Sequence, residues 1–369
     1  MSSFFPLSSG LSVNEKQTKQ NKAGFSQKLY NLGFSNHQIL ISWKREKSLT
    51  EMSTLRVPEI VPSPTHDCER LRRAFEGFLT DGKEVIWVLG HRNARQRKEI
   101  RETYQQLFNE SLIDRLHKGL SSNFRDAVIL WTYDPPERDA HLANKALKDR
   151  KKDVTHLQVL VEIACASTPN HLMSVREAYC SIFDCSLEED IASCVSQPIR
   201  KLLMSLVRSY RYDKEAVNLE IVESEASMLH GAVDSKQLDD ENLIWVLSTR
   251  NFFQLRETFA CYKKLYGIAL EEDIKKCGNG DLESLLNVVL WCVERPEKHF
   301  AKVLRDSIIG LGTDEESLNR AVINRVEIDM LRVREEYANM YHEDLEGAIV
   351  RDTSSDYKEF LMTLLGKRI

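Results

Sequence analysis

The sequence predicts an all-α protein built from four copies of one helical unit, and three observations carry that expectation. Glycine and proline are scarce, 15 and 9 of 369 residues, so few positions break a helix. Apolar residues recur at helical spacing through most of the chain. Most telling, four segments align without gaps: "RETYQQLFNESLIDRL" (101–116), "REAYCSIFDCSLEEDI" (176–191), "FACYKKLYGIALEEDI" (259–274) and "REEYANMYHEDLEGAI" (334–349). They place Tyr104, Tyr179, Tyr262 and Tyr337 in one column, and Phe108, Phe183, Tyr266 and Tyr341 four positions on. Leu112, Leu187, Leu270 and Leu345 follow, then Leu116, Ile191, Ile274 and Ile349. With 11 tyrosines in the whole chain, this register marks an internal repeat.

Composition narrows the classes. A chain of 369 residues is expected to exceed one packed core. A net charge of -5 argues against a general nucleic-acid binder. It also supplies no attraction to an anionic membrane, so an approach to one needs something to bridge like charges. No apolar run reaches the roughly 18–20 residues of a membrane-spanning helix; "LLNVVLWCV" (285–293) has the size of a buried helix segment. The eight cysteines are scattered without C-x-x-C or zinc-like spacing, which predicts a reduced, intracellular protein with several buried thiols. EF-hand, P-loop and H-E-x-x-H patterns are missing, so a nucleotide hydrolase has no Walker-type support.

Taken in order, residues 1–60 read as an N-terminal extension. The stretch "MSSFFPLSSGLSVNEKQTKQNKAGFSQKLYNLGFS" is rich in Ser, Lys, Asn and Gln and shows no sustained helical stripe. It reads as a disordered tail or an upstream extension of the reading frame ending near Met52, with a transit peptide as the alternative. The four units then occupy 61–140, 141–215, 216–300 and 301–369. Successive aligned tyrosines are 75, 83 and 75 residues apart. Positions separated by four and eight share a helix face, so each column is a core ridge. In the first unit "KEVIWVLGHRN" (83–93) is an apolar helix, more similar to "ENLIWVLSTRN" (241–251) in the third than to its neighbours, which suggests that those two units are specially related. The second unit carries a basic run, "KALKDRKKD" (145–153), which reads as a solvated face or a contact for anionic lipid. In the fourth, "AKVLRDSII" (301–309) is a helix, and "GLGTDEESL" (310–318) follows it. Gly310 stands where a left-handed helix end belongs. Gly312 lets the tight loop turn without a Cβ clash. Thr313 and Glu316 fit a capping box for the next helix, as do Thr353 and Asp356 in "IVRDTSSDYKEF".

This fourfold helical array with G-x-G-T in one unit resembles the annexin family over about residues 60–367. "VPSPTHDCERL", "DPPERDAHLANKAL" and "TPNHLMSVREAYCSIFD" look most like plant annexins. The resemblance implies five helices per repeat, four repeats in a slightly curved disc, and a convex face carrying Ca²⁺ that bridges to acidic phospholipid. It implies no enzyme activity, a cytoplasmic protein that becomes peripheral at membranes when calcium rises, and actin among possible protein partners.

On that reading the carbonyls of Ile308, Gly310 and Gly312, at the negative end of a helix dipole, make half a calcium site. The family pattern supplies a carboxylate about forty residues downstream, and Gly312 plus forty is Asp352. Ca²⁺ takes six to eight oxygens, so such a site keeps positions for water or a lipid phosphate. Thr313, Glu315 and Thr353 are weaker candidates for a second ion. The other repeats depart from the pattern. Asp352 is matched by Gly119, Cys194 and Cys277; "GFLT" (77–80) keeps one glycine, and "KDVT" (152–155) and "SKQL" (235–238) keep neither. One intact site is therefore expected, in the fourth repeat, and Gly119→Glu is expected to return an acid to the first. His91 resembles a histidine associated with haem and peroxidase activity in plant annexins, but no acid–base partner accompanies it in the sequence.

Overall fold

Residues 52–77, 79–310 and 312–367 are described by the computed structural model. The expectations for residues 1–51, a tail or a transit peptide, lie outside them. Twenty helices span the described residues, five to a repeat. Repeat I holds α1 (Pro64–Ala74), α2 (Gly82–Leu89), α3 (Ala94–Phe108), α4 (Leu112–Gly119) and α5 (Ser122–Thr132). Repeat II holds α6 (Pro135–Lys148), α7 (Val154–Cys165), α8 (Pro169–Phe183), α9 (Leu187–Cys194) and α10 (Ile199–Arg208). Repeat III holds α11 (Leu219–Asp234), α12 (Glu241–Thr249), α13 (Phe252–Tyr266), α14 (Leu270–Cys277) and α15 (Asp281–Glu294). Repeat IV holds α16 (Pro296–Ile308), α17 (Glu315–Arg325), α18 (Met330–Tyr341), α19 (Leu345–Asp352) and α20 (Ser355–Leu364).

The tyrosine columns are the spine of each repeat. Tyr104, Tyr179, Tyr262 and Tyr337 are all 0% exposed. Each touches the aromatic ring four residues on, with centroids 4.7, 4.9, 4.9 and 5.1 Å apart. Such pairs contribute about 0.5–1.5 kcal/mol beyond area burial. The leucines of the next column and the Leu/Ile column after it are buried too, and lie in the short fourth helix. Between tyrosine helix and fourth helix the chain turns at Asn109, Asp184, Gly267 and His342, all with φ between 51° and 74°. Asn, Asp and Gly are the residues that tolerate this left-handed helix end; the sequence reading passed over it.

The repeats pair across the chain rather than along it. One apolar core joins repeats II and III, through α7 on α15 and α10 on α12. The other joins repeats I and IV, through α5 on α17 and α20 on α2 and α5. The likeness of the first and third units is one of helix length, not of contact: α2 and α12 have 8 and 9 residues, whereas α7 and α17 have 12 and 11. A buried ionic cluster crosses the seam between the cores. Glu162 on α7 accepts from His299 Nε2 at 2.8 Å and pairs with Arg320 on α17. Burial alone would raise the Glu162 carboxyl, but Arg320 and His299 outweigh it and hold it below its ordinary range.

Ser53 and Thr54, read as part of the extension, tie into repeat IV. The Ser53 hydroxyl and the Thr54 N–H both donate to the Val326 carbonyl, at 2.8 and 3.2 Å. The Thr54 hydroxyl donates to the Leu364 carbonyl at 2.8 Å. Three cysteines (Cys68, Cys165 and Cys292) are buried, as expected of several; four are half-buried and Cys180 is exposed. None of the described helices is long and apolar enough to cross a membrane.

Candidate metal centre between two helix–helix loops

The loop after α16 needs both of its glycines. Helix α16 ends at Ile309, whose N–H donates to the Arg305 carbonyl at 3.1 Å. Gly310 then has φ 129° and Gly312 φ 99°. A Cβ on either would meet nothing within 4 Å. The requirement is therefore in the backbone, not in crowding, because an L-residue is strained at such φ. Gly310 lies beyond the left-handed helical region that the sequence suggested. The loop closes where the Asp314 N–H donates to the Ser307 carbonyl, at 2.8 Å.

The expected capping boxes do not form. Asp314, not Thr313, caps α17 and accepts from the Ser317 N–H at 3.1 Å. A carboxylate at the positive end of a helix is the stronger cap, which releases Thr313. Its hydroxyl crosses to the second loop and lies 2.5 Å from Asp352 Oδ2 and 3.2 Å from the Asp352 carbonyl. Likewise Ser354, without a side-chain bond, stands at the N-terminus of α20, and Asp356 is turned against Gly82. Thr353 donates back into its own helix, to the Ile349 carbonyl at 2.7 Å.

The Thr313 bond thus sets the loop that carries Ile308, Gly310 and Gly312 beside Asp352, which is half-buried at the end of α19. Among the described residues no hydrogen bond ends on the carbonyls of Ile308, Gly310 or Gly312. The donor set is three carbonyls and a carboxylate, all hard oxygens, which fits Ca²⁺ and not a soft metal. Among the described residues no three His, Cys, Asp or Glu side chains converge for a metal, so an ion here depends on backbone oxygens. Glu315 is engaged elsewhere: its Oε1 accepts from Asn123 Nδ2 of α5 at 2.7 Å. With Thr353 turned inward as well, the second-ion candidates do not converge.

Repeat I closes its two loops in the same way but without an acid. The Thr80 hydroxyl donates to the Gly119 carbonyl at 2.6 Å. Gly77 lies outside the left-handed region, so the one retained glycine is not used as those of repeat IV are. A Cβ at Gly119 would sit 2.5 Å from the Phe75 ring, so the ring must shift before an acid can be returned there. In repeats II and III the capping aspartates are Asp153 and Asp240. Matching these to Asp314 makes 149–152 and 236–239 the counterparts of 310–313, not the stretches found by counting from the tyrosines. The capping aspartates Asp81, Asp153, Asp240 and Asp314 stand 23, 26, 22 and 23 residues before the aligned tyrosines, so a fixed count back from the tyrosine misplaces the loops of repeats II and III. Glycine is lacking in either register.

The basic run of repeat II is partly committed. Lys148 donates to Asp190 at 2.6 Å, while Arg150 and Lys151 are exposed and Lys152 half-buried. His91 follows α2 and is buried, with Nδ1 3.0 Å from the Trp87 carbonyl and its ring 4.7 Å from that of Trp87. Burial and the nearby Arg92 hold its imidazole below the ordinary pKa, against the Trp87 bond. Its partner is a carbonyl, not the carboxylate that would orient a catalytic histidine.

Comparison with known proteins adds the family. The family model named Annexin matches residues 66–131, 138–206, 224–289 and 299–364. Annexin D3 of Arabidopsis thaliana is 51% identical over 321 residues, 86% of this chain and all of that protein. Annexin Gh1 of Gossypium hirsutum is 43% identical over 314 residues, 85% of this chain and 99% of its own. Among solved structures, annexin III superposes with a TM-score of 0.80 at 30% identity, covering 85% of this chain and 97% of that one. Calcium-bound annexin (Sm)1 does so with 0.75 at 28%, covering 85% and 93%.

Proposed function

Because the chain belongs to the annexin family, we propose that it binds acidic phospholipid membranes through Ca²⁺, with its one complete calcium site in repeat IV. The observation that supports this most is the pairing of two glycines in backbone conformations closed to other residues with a carboxylate held at the same loop by Thr313. Three carbonyls at the C-terminal end of α16 supply partial negative charge, and Asp352 supplies a formal one. With four protein oxygens offered, an ion needing six to eight keeps positions for water or a lipid phosphate.

The protein's work is positional. Glycine backbone geometry aims the carbonyls, the Asp314–Ser307 bond fixes the loop width, and Thr313 fixes the carboxylate. The ion supplies the charge that an acidic protein lacks toward an acidic surface. The chain acts as a peripheral protein, docked at the membrane when calcium rises.

Sedimentation with phosphatidylserine-containing vesicles tests this. Binding is expected in millimolar calcium and not in chelator, and not with neutral vesicles. Equal binding in chelator would remove calcium from the mechanism and leave a scaffold for protein partners such as actin.

A further inference from the structure

Repeats I and IV can be placed in register residue by residue. The capping aspartates Asp81 and Asp314 donate their N–H groups to the carbonyls of Ala74 and Ser307, at 2.9 and 2.8 Å. Phe75 therefore corresponds to Ile308. The threonine bonds match Gly119 with Asp352. Eleven residues beyond each aligned tyrosine, Arg115 corresponds to Ala348.

That last position changes what happens to the first carbonyl of the loop. In repeat IV the side chain of Ala348 has nothing to donate to the Ile308 carbonyl. In repeat I, Arg115 Nη2 donates to the Phe75 carbonyl at 2.7 Å, and the guanidinium lies 5.2 Å from the centre of the Phe75 ring. A guanidinium stays charged at any relevant pH. Placed at the C-terminal end of α1, it satisfies the carbonyl and the helix dipole together. It also sets a fixed positive charge where a second cation would have to approach. The Phe75 ring in turn fills the space an acidic side chain at 119 would need.

We propose that Arg115 is a resident substitute for the calcium ion in repeat I, holding that loop in shape and excluding Ca²⁺ from it. The inference rests on the reading of repeat IV for what the matching carbonyl does there. Arg115 is then a specificity-determining residue: it decides which repeat responds to calcium.

Two measurements on the full chain test it. Hydrogen exchange followed by mass spectrometry should show amides 75–82 exchanging equally with and without millimolar calcium, while those at 308–314 slow several-fold. Arg115→Ala should speed exchange at 75–82 at least fivefold in chelator; an unchanged rate overturns the proposal, as does a wild-type repeat I loop that slows with calcium. Calorimetric stoichiometry separates exclusion from a merely structural bond. Phe75→Ile, Leu79→Gly and Gly119→Asp together, with Arg115 kept, should bind one ion; adding Arg115→Ala should raise this to two. A second ion with Arg115 present, or none after its removal, overturns the proposal. Loss of the calcium response at 308–314 in wild type would instead break the repeat IV reading, leaving the repeat I arms to be judged by themselves.

Discussion

Repeats I and IV share a core, a loop closed by the same aspartate N–H, and a threonine that bonds across to the next loop. Around the loop they differ at four matched positions: Phe75 against Ile308, Leu79 against Gly312, Arg115 against Ala348, Gly119 against Asp352. A common scaffold thus holds two electrostatic solutions for the end of a helix. In repeat IV oxygens are gathered and a cation must come from solution. In repeat I the cation is already covalently part of the chain. The aspartate and threonine bonds are common to both loops, so what separates them is where the charge at the first carbonyl comes from.

The largest effect that would break this contrast is at Asp352. Asp352→Asn keeps an oxygen for Thr313 but removes the charge, and is expected to lower calcium-dependent vesicle binding by at least about 100-fold, the upper range seen for mere outer-shell changes. Sedimentation reads the binding, and an unchanged melting temperature shows that the fold is intact. Undiminished binding would move the site away from repeat IV. Next is Gly119→Glu, expected to bring no calcium affinity and to destabilise by about 1–3 kcal/mol, since its Cβ is forced onto Phe75. Denaturant titration measures the loss. A stable variant that gains calcium binding would erase the difference between the two repeats.

Gly312→Ala sharpens the comparison by isolating backbone from packing. A Cβ there meets nothing, so the cost is conformational alone, about 1–2 kcal/mol. Calcium affinity should fall roughly three- to thirtyfold, while the matched change Leu79→Ala leaves it untouched. Equal effects would mean that Gly312 is not shaping a site. The smallest effect is expected from the basic run of repeat II. Neutralising Arg150 and Lys151 should weaken vesicle binding by no more than about 1 kcal/mol per residue, an effect that fades as salt shortens the screening length to a few ångströms. Lys148, held by Asp190, should contribute less than either. Salt-insensitive binding would make the run a solvated face.

The spine of the fold was legible because a core ridge has to repeat its residue types. The buried tyrosines and the aromatic contacts four residues on follow from spacing alone. The pairing of repeats was not, since nothing local distinguishes a face that meets repeat IV from one that meets repeat II. The two glycines were legible as a tight turn, and Asp352 beside that loop only through the family pattern, whereas the cap at Asp314 was hidden beside an equally good sequence match at Thr313. Arg115 could have been found by setting the four residues at its position side by side: Arg115, Asp190, Asp273 and Ala348. Reading only the carboxylate column concealed it. Phe75 gave no signal, because a ring that blocks a neighbouring Cβ is visible only in three dimensions.

The core shared by repeats I and IV, stitched by Ser53 and Thr54 to Val326 and Leu364, has a consequence for synthesis. The first helices to leave the ribosome have no partner until the last ones appear, because residues 132–299 belong mostly to the other core. At about 5–20 residues per second, repeat I waits on the order of ten to thirty seconds with the apolar face that meets repeat IV uncovered. Repeats II and III can meanwhile complete their core as soon as α15 is free. A nascent chain arrested before α16 should therefore protect its middle and leave its beginning open to proteases and chaperones, an order of assembly that departs from the order of translation.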